Sequence, residues 1–193
     1  MTPSLPSTQQ FFSTSEMLNS DFTYYRINQL VKDGKLRKLN KRMYENLDYE
    51  GEVSDFAAAA AYAPKGILCM MTAARYYGLT TYLPDAVDIA IGRSMKISTL
   101  PDWPALHIWY FSQKRYEEGL TMISDNTGNY RIYSMEKTVA DILYYRNKIG
   151  IEETKEVLTN YLSHPERNLA TLHRYAEALG SGQILRTYLE VLL

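Results

Sequence analysis

Apolar positions along this chain follow two rhythms, one helical and one alternating, and the places where they change mark out its elements. Ser13-Thr14-Ser15 offers N-caps for a short helix through Glu16, Met17 and Leu18, and Asn19-Ser20-Asp21 reads as a turn that caps a second helix. In that second helix Ile27, Leu30 and Val31 fall at i, i+3 and i+4, and Gly34 stands where it should end. Leu36, Leu39 and Met43 then alternate loosely with polar residues about Asn40-Lys41, the pattern of a hairpin. An alanine-rich helix is expected from Phe56 to Tyr62, capped by Ser54 or Asp55 and stopped by Pro64-Lys65-Gly66, and another from Ile67 to Tyr77, closed by Gly78.

Strand-like runs follow at Val87 to Ile91, Leu106 to Phe111, Leu120 to Ser124 and Tyr130 to Tyr133, the last two about the turn Asp125-Asn126-Thr127-Gly128. Ser134 then caps a helix with Val139, Ile142 and Leu143 on its inner face, and helices continue over Glu152 to Leu162, Leu169 to Leu179 and Ile184 to Leu193. The acidic, loop-like stretch between Tyr44 and Phe56 reads as a boundary. The chain is therefore expected to be α+β: an N-terminal winged helix-turn-helix over residues 1–48, and a second unit over residues 49–193 with strands at about 86–133 and helices at about 134–193.

Composition adds one thing that pattern alone does not. The 193 residues carry 21 Lys+Arg against 22 Asp+Glu, a net charge of −1. That balance excludes binding to nucleic acid through bulk charge. Its distribution tells a different story. Residues 22–44 hold seven basic side chains against Asp33 alone, a local +6, so the remainder sums to −7. Turning about 100° per residue from Ile27 places Tyr25, Asn28, Gln29 and Lys32 opposite the apolar stripe, with Arg26 and Phe22 at its edge and Tyr24 turned inward as core. On this reading Tyr25, Asn28 and Gln29 face base edges, Arg26 and Lys32 hold phosphates, and Lys38, Lys41 and Arg42 anchor the wing on the backbone of operator DNA.

A family resemblance rests on these residues. The string Tyr25-Arg26-Ile27-x-x-Leu30-Val31-x-x-Gly34-x-Leu36-x-x-Leu39, closed by Tyr44, resembles the N-terminal winged helix of the AbiEi abortive-infection antitoxins. Gly66-Ile67-Leu68, then Met71-Thr72-Ala73-Ala74-x-x-Tyr77-Gly78-Leu79-Thr80 and Pro84, resembles the start of that family's antitoxin domain, with Thr72 where Ser is common. Ser134 to Leu143 is similar to its E-[RK]-T-x-x-D signature, matched by Glu136, Lys137, Thr138 and Asp141. One departure is that the family places a further helix before the Ser-Thr-Ser cap, where this chain has some ten residues including Pro3 and Pro6. The resemblance implies an α/β antitoxin-like second domain ending in a helical bundle, in a bacterial, cytoplasmic protein. It also implies an antitoxin of a type IV toxin-antitoxin system that represses its own operon and opposes a nucleotidyltransferase-like toxin, with or without direct contact.

Within the signature, Lys137 and Asp141 lie at i and i+4. They read either as a helix pair worth about 0.3 kcal/mol or, with Glu136 and Thr138, as a partner contact. The lone Cys69 and the scattered His107, His164 and His173 form no metal motif, and no nucleophile elbow, P-loop or dinucleotide fingerprint occurs. No catalytic residue, cofactor, metal or small-molecule substrate is expected. Asp85, Asp88, Glu136 and Lys137 leave a metal-dependent nuclease as an alternative, alongside a winged-helix regulator without antitoxin activity. Trp103, Trp109, Tyr110 and Phe111 are expected in the core. No apolar run approaches the ~18 residues of a membrane span, so no membrane partner is expected.

Overall fold

A computed structural model describes residues 5–52, 54–125 and 128–192. It is a mixed α and β chain with two sheets. The predicted turn positions Asn126 and Thr127 and the predicted helix end at Leu193 lie outside the described residues.

The first sheet opens with β1 (Phe11–Ser13), an element without a sequence prediction, followed by α1 (Thr14–Asn19), α2 (Tyr24–Lys32), β2 (Leu36–Lys38) and β3 (Met43–Asn46). Its order is β1-β3-β2, antiparallel throughout, so the hairpin is widened by a strand from the N-terminal lead. Ser13 and Glu16 close a capping box on α1: Glu16 N–H donates to Ser13 Oγ at 3.1 Å, and Ser13 N–H donates to the Glu16 carboxylate at 2.6 Å. The turn between the helices places Asp21 at φ +64°, and Thr23, two residues later than the predicted turn, caps α2. Gly34, at φ +69°, ends α2 in a Schellman arrangement, with Lys35 N–H donating to Leu30 O and Gly34 N–H to Val31 O. Nine residues are too few for a stable isolated helix. Packing supplies the rest: Phe12, Met17, Phe22, Ile27, Leu30, Leu36 and Tyr44 form a small core of their own.

After α3 (Asp55–Tyr62), capped by Ser54, the chain enters β4 (Ile67–Leu68), α4 (Met70–Tyr76), β5 (Val87–Gly92), β6 (Leu106–Phe111), α5 (Gln113–Glu117), β7 (Leu120–Asp125) and β8 (Gly128–Tyr133). The second sheet runs β6-β5-β4-β8-β7, with β5–β6 and β4–β8 parallel and the other pairs antiparallel. Ile67 and Leu68 were expected to begin a helix and instead form its central strand. Their neighbours β5 and β8 leave no other hydrogen-bonding partner for this backbone, and Met70, at φ +46°, turns the chain into α4.

One face of this sheet (Val87, Ile89, Ile91, Ile132) meets the alanines of α3. The other (Ile67, Ala90, Trp109, Phe111, Tyr133) meets α4 and the helices that follow: α6 (Met135–Tyr144), α7 (Arg146–Ile149), α8 (Ile151–Ser163), α9 (Leu169–Leu179) and α10 (Gly182–Leu192). α6 is the hub, packed on α4, α8, α9 and α10. Leu39 joins the first sheet to α3 through Ala61 and Tyr62. Among the described residues no helix is long and apolar enough to cross a membrane.

Candidate functional site

α2 sorts its side chains as its period requires, with two corrections at and before its first turn. Ile27 and Leu30 are buried, Tyr25, Asn28 and Lys32 are exposed, and Arg26 and Gln29 are half-buried. Tyr24 was assigned to the core and is exposed instead. It is the first residue of the helix, beyond the end of the layer that covers Ile27. Phe22, placed at the polar edge, is buried with Met17 and Ile27. Arg26 Nε is the one buried side-chain polar atom among the described residues that lacks a hydrogen-bond partner.

The basic residues of the hairpin divide into paired and unpaired. Arg37 donates to Glu45 at 2.6 and 2.9 Å across the β2–β3 ladder, and Lys35 lies 3.9 Å from Asp48. Lys32, Lys38, Lys41 and Arg42 are exposed and have no ion-pair partner among the described residues, although Lys38 Nζ sits 5.9 Å from the Tyr44 ring centroid. The tip is fixed from both sides. Asn40 Oδ1 accepts from the amides of Arg42 and Met43, Asn40 Nδ2 donates to Ala61 O at 2.9 Å, and Thr14 N–H donates to Arg42 O at 2.7 Å. The hairpin therefore presents Lys41 and Arg42 outward while Leu39 and Asn40 hold it against α3.

The E-K-T-x-x-D segment occupies a different place from the one its spacing suggested. Lys137 and Asp141 are wholly buried and Thr138 nearly so. Asp141 accepts from Lys137 and from Arg115, whose guanidinium also donates to Leu179 O. The carboxylate thus balances one of two cations, and the rings of Tyr133 (3.8 Å from Lys137 Nζ) and Tyr144 (4.0 Å from Arg115 Cζ) stabilise the excess. Burial lowers the Lys137 ammonium pKa against the opposing pull of Asp141. The surface-pair value of about 0.3 kcal/mol does not apply to a pair withdrawn from water. As a surface for a partner, Lys137, Thr138 and Asp141 are closed; Glu136, half-buried, accepts from Asn168 N–H at 3.2 Å. Sequence reasoning missed Arg115 because its partner lies 26 residues away and α5 gives almost no periodic signal.

A second polar network lies where β5 and β6 begin. Asp88, buried, accepts from Trp109 Nε1 at 2.7 Å and from Thr72 N–H at 3.3 Å, and sits 3.1 Å from His107 Nδ1. Burial raises its carboxyl pKa, opposed by Trp109 and His107. Glu136 belongs to a separate network, and among the described residues no three of His, Cys, Asp or Glu are placed to hold a metal ion. Trp109 and Phe111 are core as expected, whereas Tyr110 points to the other face of edge strand β6 and Trp103 stands in the loop before it, both exposed.

No family model and no curated protein matches the chain. Among solved structures, the crystal structure of the RV2827C protein from Mycobacterium tuberculosis aligns over 94% of this chain and 76% of its own, at 12% identity and a TM-score of 0.47.

Proposed function

We propose that this chain is a DNA-binding regulator that represses its own operon, reading DNA through a winged helix-turn-helix made of α1, α2 and the β2–β3 hairpin. The observation that carries the reading is the sorting of cations: those in salt bridges, Arg37 and Lys35, are separate from Arg26, Lys32, Lys38, Lys41 and Arg42, which are left free for phosphate. Tyr25, Asn28 and Gln29, on the same outward face of α2, make no side-chain hydrogen bond among the described residues and supply base-reading groups. The order helix, turn, helix, hairpin supports this use.

The antitoxin role, in a cytoplasmic and non-enzymatic bacterial protein opposing a nucleotidyltransferase-like toxin, rests on the resemblance of residues 66–84 and 134–143. A regulator without antitoxin activity is the second reading, favoured by the burial of Lys137, Thr138 and Asp141, which leaves Glu136 as the one partly exposed residue of that motif. One experiment separates the two. The full chain carrying Lys32→Glu, Lys41→Glu and Arg42→Glu is co-expressed with the toxin gene adjacent to its own. The antitoxin role requires growth to be rescued although promoter binding is lost, and failure of the wild-type chain to rescue leaves the regulator alone.

A further inference from the structure

The second unit carries an open groove where α3 and α4 meet the loops before β5 and β6. It has two adjoining chambers of about 410 and 170 Å3 that share Pro84, Asp85 and Ala86. The larger is of ligand-binding size. Its walls carry Phe56, Tyr76 and Trp103, and Tyr82 stands on the rim of the smaller. Trp103 is 68% exposed, an unusual state for an indole, and Leu83, next in sequence to Pro84, is also exposed. Asp55, Asp85 and Glu153 line the two chambers against Arg75 and Lys148, while Asp88 is already engaged by Trp109 and His107. The chain outside residues 22–44 sums to −7, so the field around the groove favours cations and opposes nucleic acid.

An exposed indole that lines the same chamber as a carboxylate, as Trp103 does with Asp85, offers the combination that recognises a guanidinium: the planar cation stacks on the ring while its N–H fork donates to the carboxylate. An ammonium uses only part of that arrangement. We propose that this groove docks a basic segment of a protein partner, with an arginine side chain stacked on Trp103 and paired with Asp85. The surface is distinct from the basic lobe, so the proposal stands or falls independently of DNA binding.

The two tryptophans make the test direct, because Trp103 is exposed and Trp109 is buried. The full-length chain, labelled with 15N, is titrated with hexa-arginine, hexa-glutamate and free L-arginine, and the two indole N–H signals are followed, assigned by Trp103→Phe. Hexa-arginine is expected to shift the Trp103 signal, with the Trp109 signal nearly still and hexa-glutamate without effect on either. Followed through the backbone amides of Asp85 and Ala86, which line both chambers, peptide binding should weaken by about tenfold or more in Trp103→Ala and in Asp85→Asn. Glu190→Gln, an exposed acid on α10, should leave it unchanged. Any one of three outcomes overturns the proposal: a Trp103 signal that stays put at millimolar peptide; equal weakening by Glu190→Gln and Asp85→Asn, which is attraction to net charge alone; or free arginine binding as tightly as the peptide, which makes the groove a small-molecule pocket. Self-association abolished by Trp103→Ala would likewise overturn it, giving the groove to a second copy of the chain.

Discussion

Lys137 and Asp141, one turn apart on α6, meet inside the core, and the same carboxylate receives Arg115 from α5. Removing the anion leaves two cations buried without a counter-charge. Asp141→Ala should therefore cost about 3–5 kcal/mol in urea unfolding, seen as a lower midpoint with little change in slope. Replacing the trio by apolar residues (Arg115→Met, Lys137→Met, Asp141→Leu) should cost markedly less than Asp141→Ala alone. Equal losses would mean that packing, not charge, governs the site.

Gly119 stands at φ +70°, and a Cβ there would meet Lys137 Cβ at 2.6 Å. The positive φ and the close approach act together, since relaxing either moves the Lys137 stem and its ion pair. Gly119→Ala should destabilise by about 1–3 kcal/mol, measured by the same denaturation. A change below about 0.5 kcal/mol would show that this corner is not tightly held.

The pH dependence follows from Asp88, whose carboxyl burial raises above its ordinary 3.8. Between that value and the folded pKa, the native state keeps a proton that the unfolded chain has released. The contribution to stability is thus full below 3.8 and is lost as pH rises through the folded pKa. The stability difference between wild type and Asp88→Asn should fall as pH climbs from about 4 toward neutrality and then level off. A difference that rises over that range contradicts the assignment of burial as the dominant cause.

The sorting of cations in the hairpin predicts unequal effects from like substitutions. Lys41→Ala and Arg42→Ala should each weaken promoter binding and reduce its salt dependence by about one unit of log-log slope. Arg37→Ala, which removes a cation already engaged by Glu45, should change affinity little and stability by at most about 1 kcal/mol, since the guanidinium is half exposed. Comparable losses of affinity from all three would show that the hairpin acts through summed charge.

Elements with a long periodic signal were legible. The predicted bounds of α9 and the start of β5 agree with the structure, and Ile27, Leu30, Val139, Ile142 and Leu143 are inward as their spacing required. Ile67 and Leu68 were not legible as a strand, because two residues hold no period and only pairing with β5 and β8 makes them one. β1 failed for the same reason, being defined by its pairing with β3. Tyr24, Tyr110 and Trp103 show the limit of residue type: their exposure depends on where the covering layer stops, at the end of α2, on the far face of an edge strand and in a loop. For the candidate site, the exposed face of α2 could be read from the helical wheel. The division of cations into paired and free could not, because Glu45 and Asp48 come into reach only when the hairpin folds.

The most direct test of the account is the affinity of the full chain for the DNA upstream of its own gene, measured by fluorescence anisotropy across salt concentrations with a shuffled duplex alongside. Five unpaired cations predict a log-log slope of about −4.5, tighter binding to the native sequence than to the shuffled one, and loss of that preference in Asn28→Ala. A slope near zero, or equal affinity for both duplexes, would contradict it.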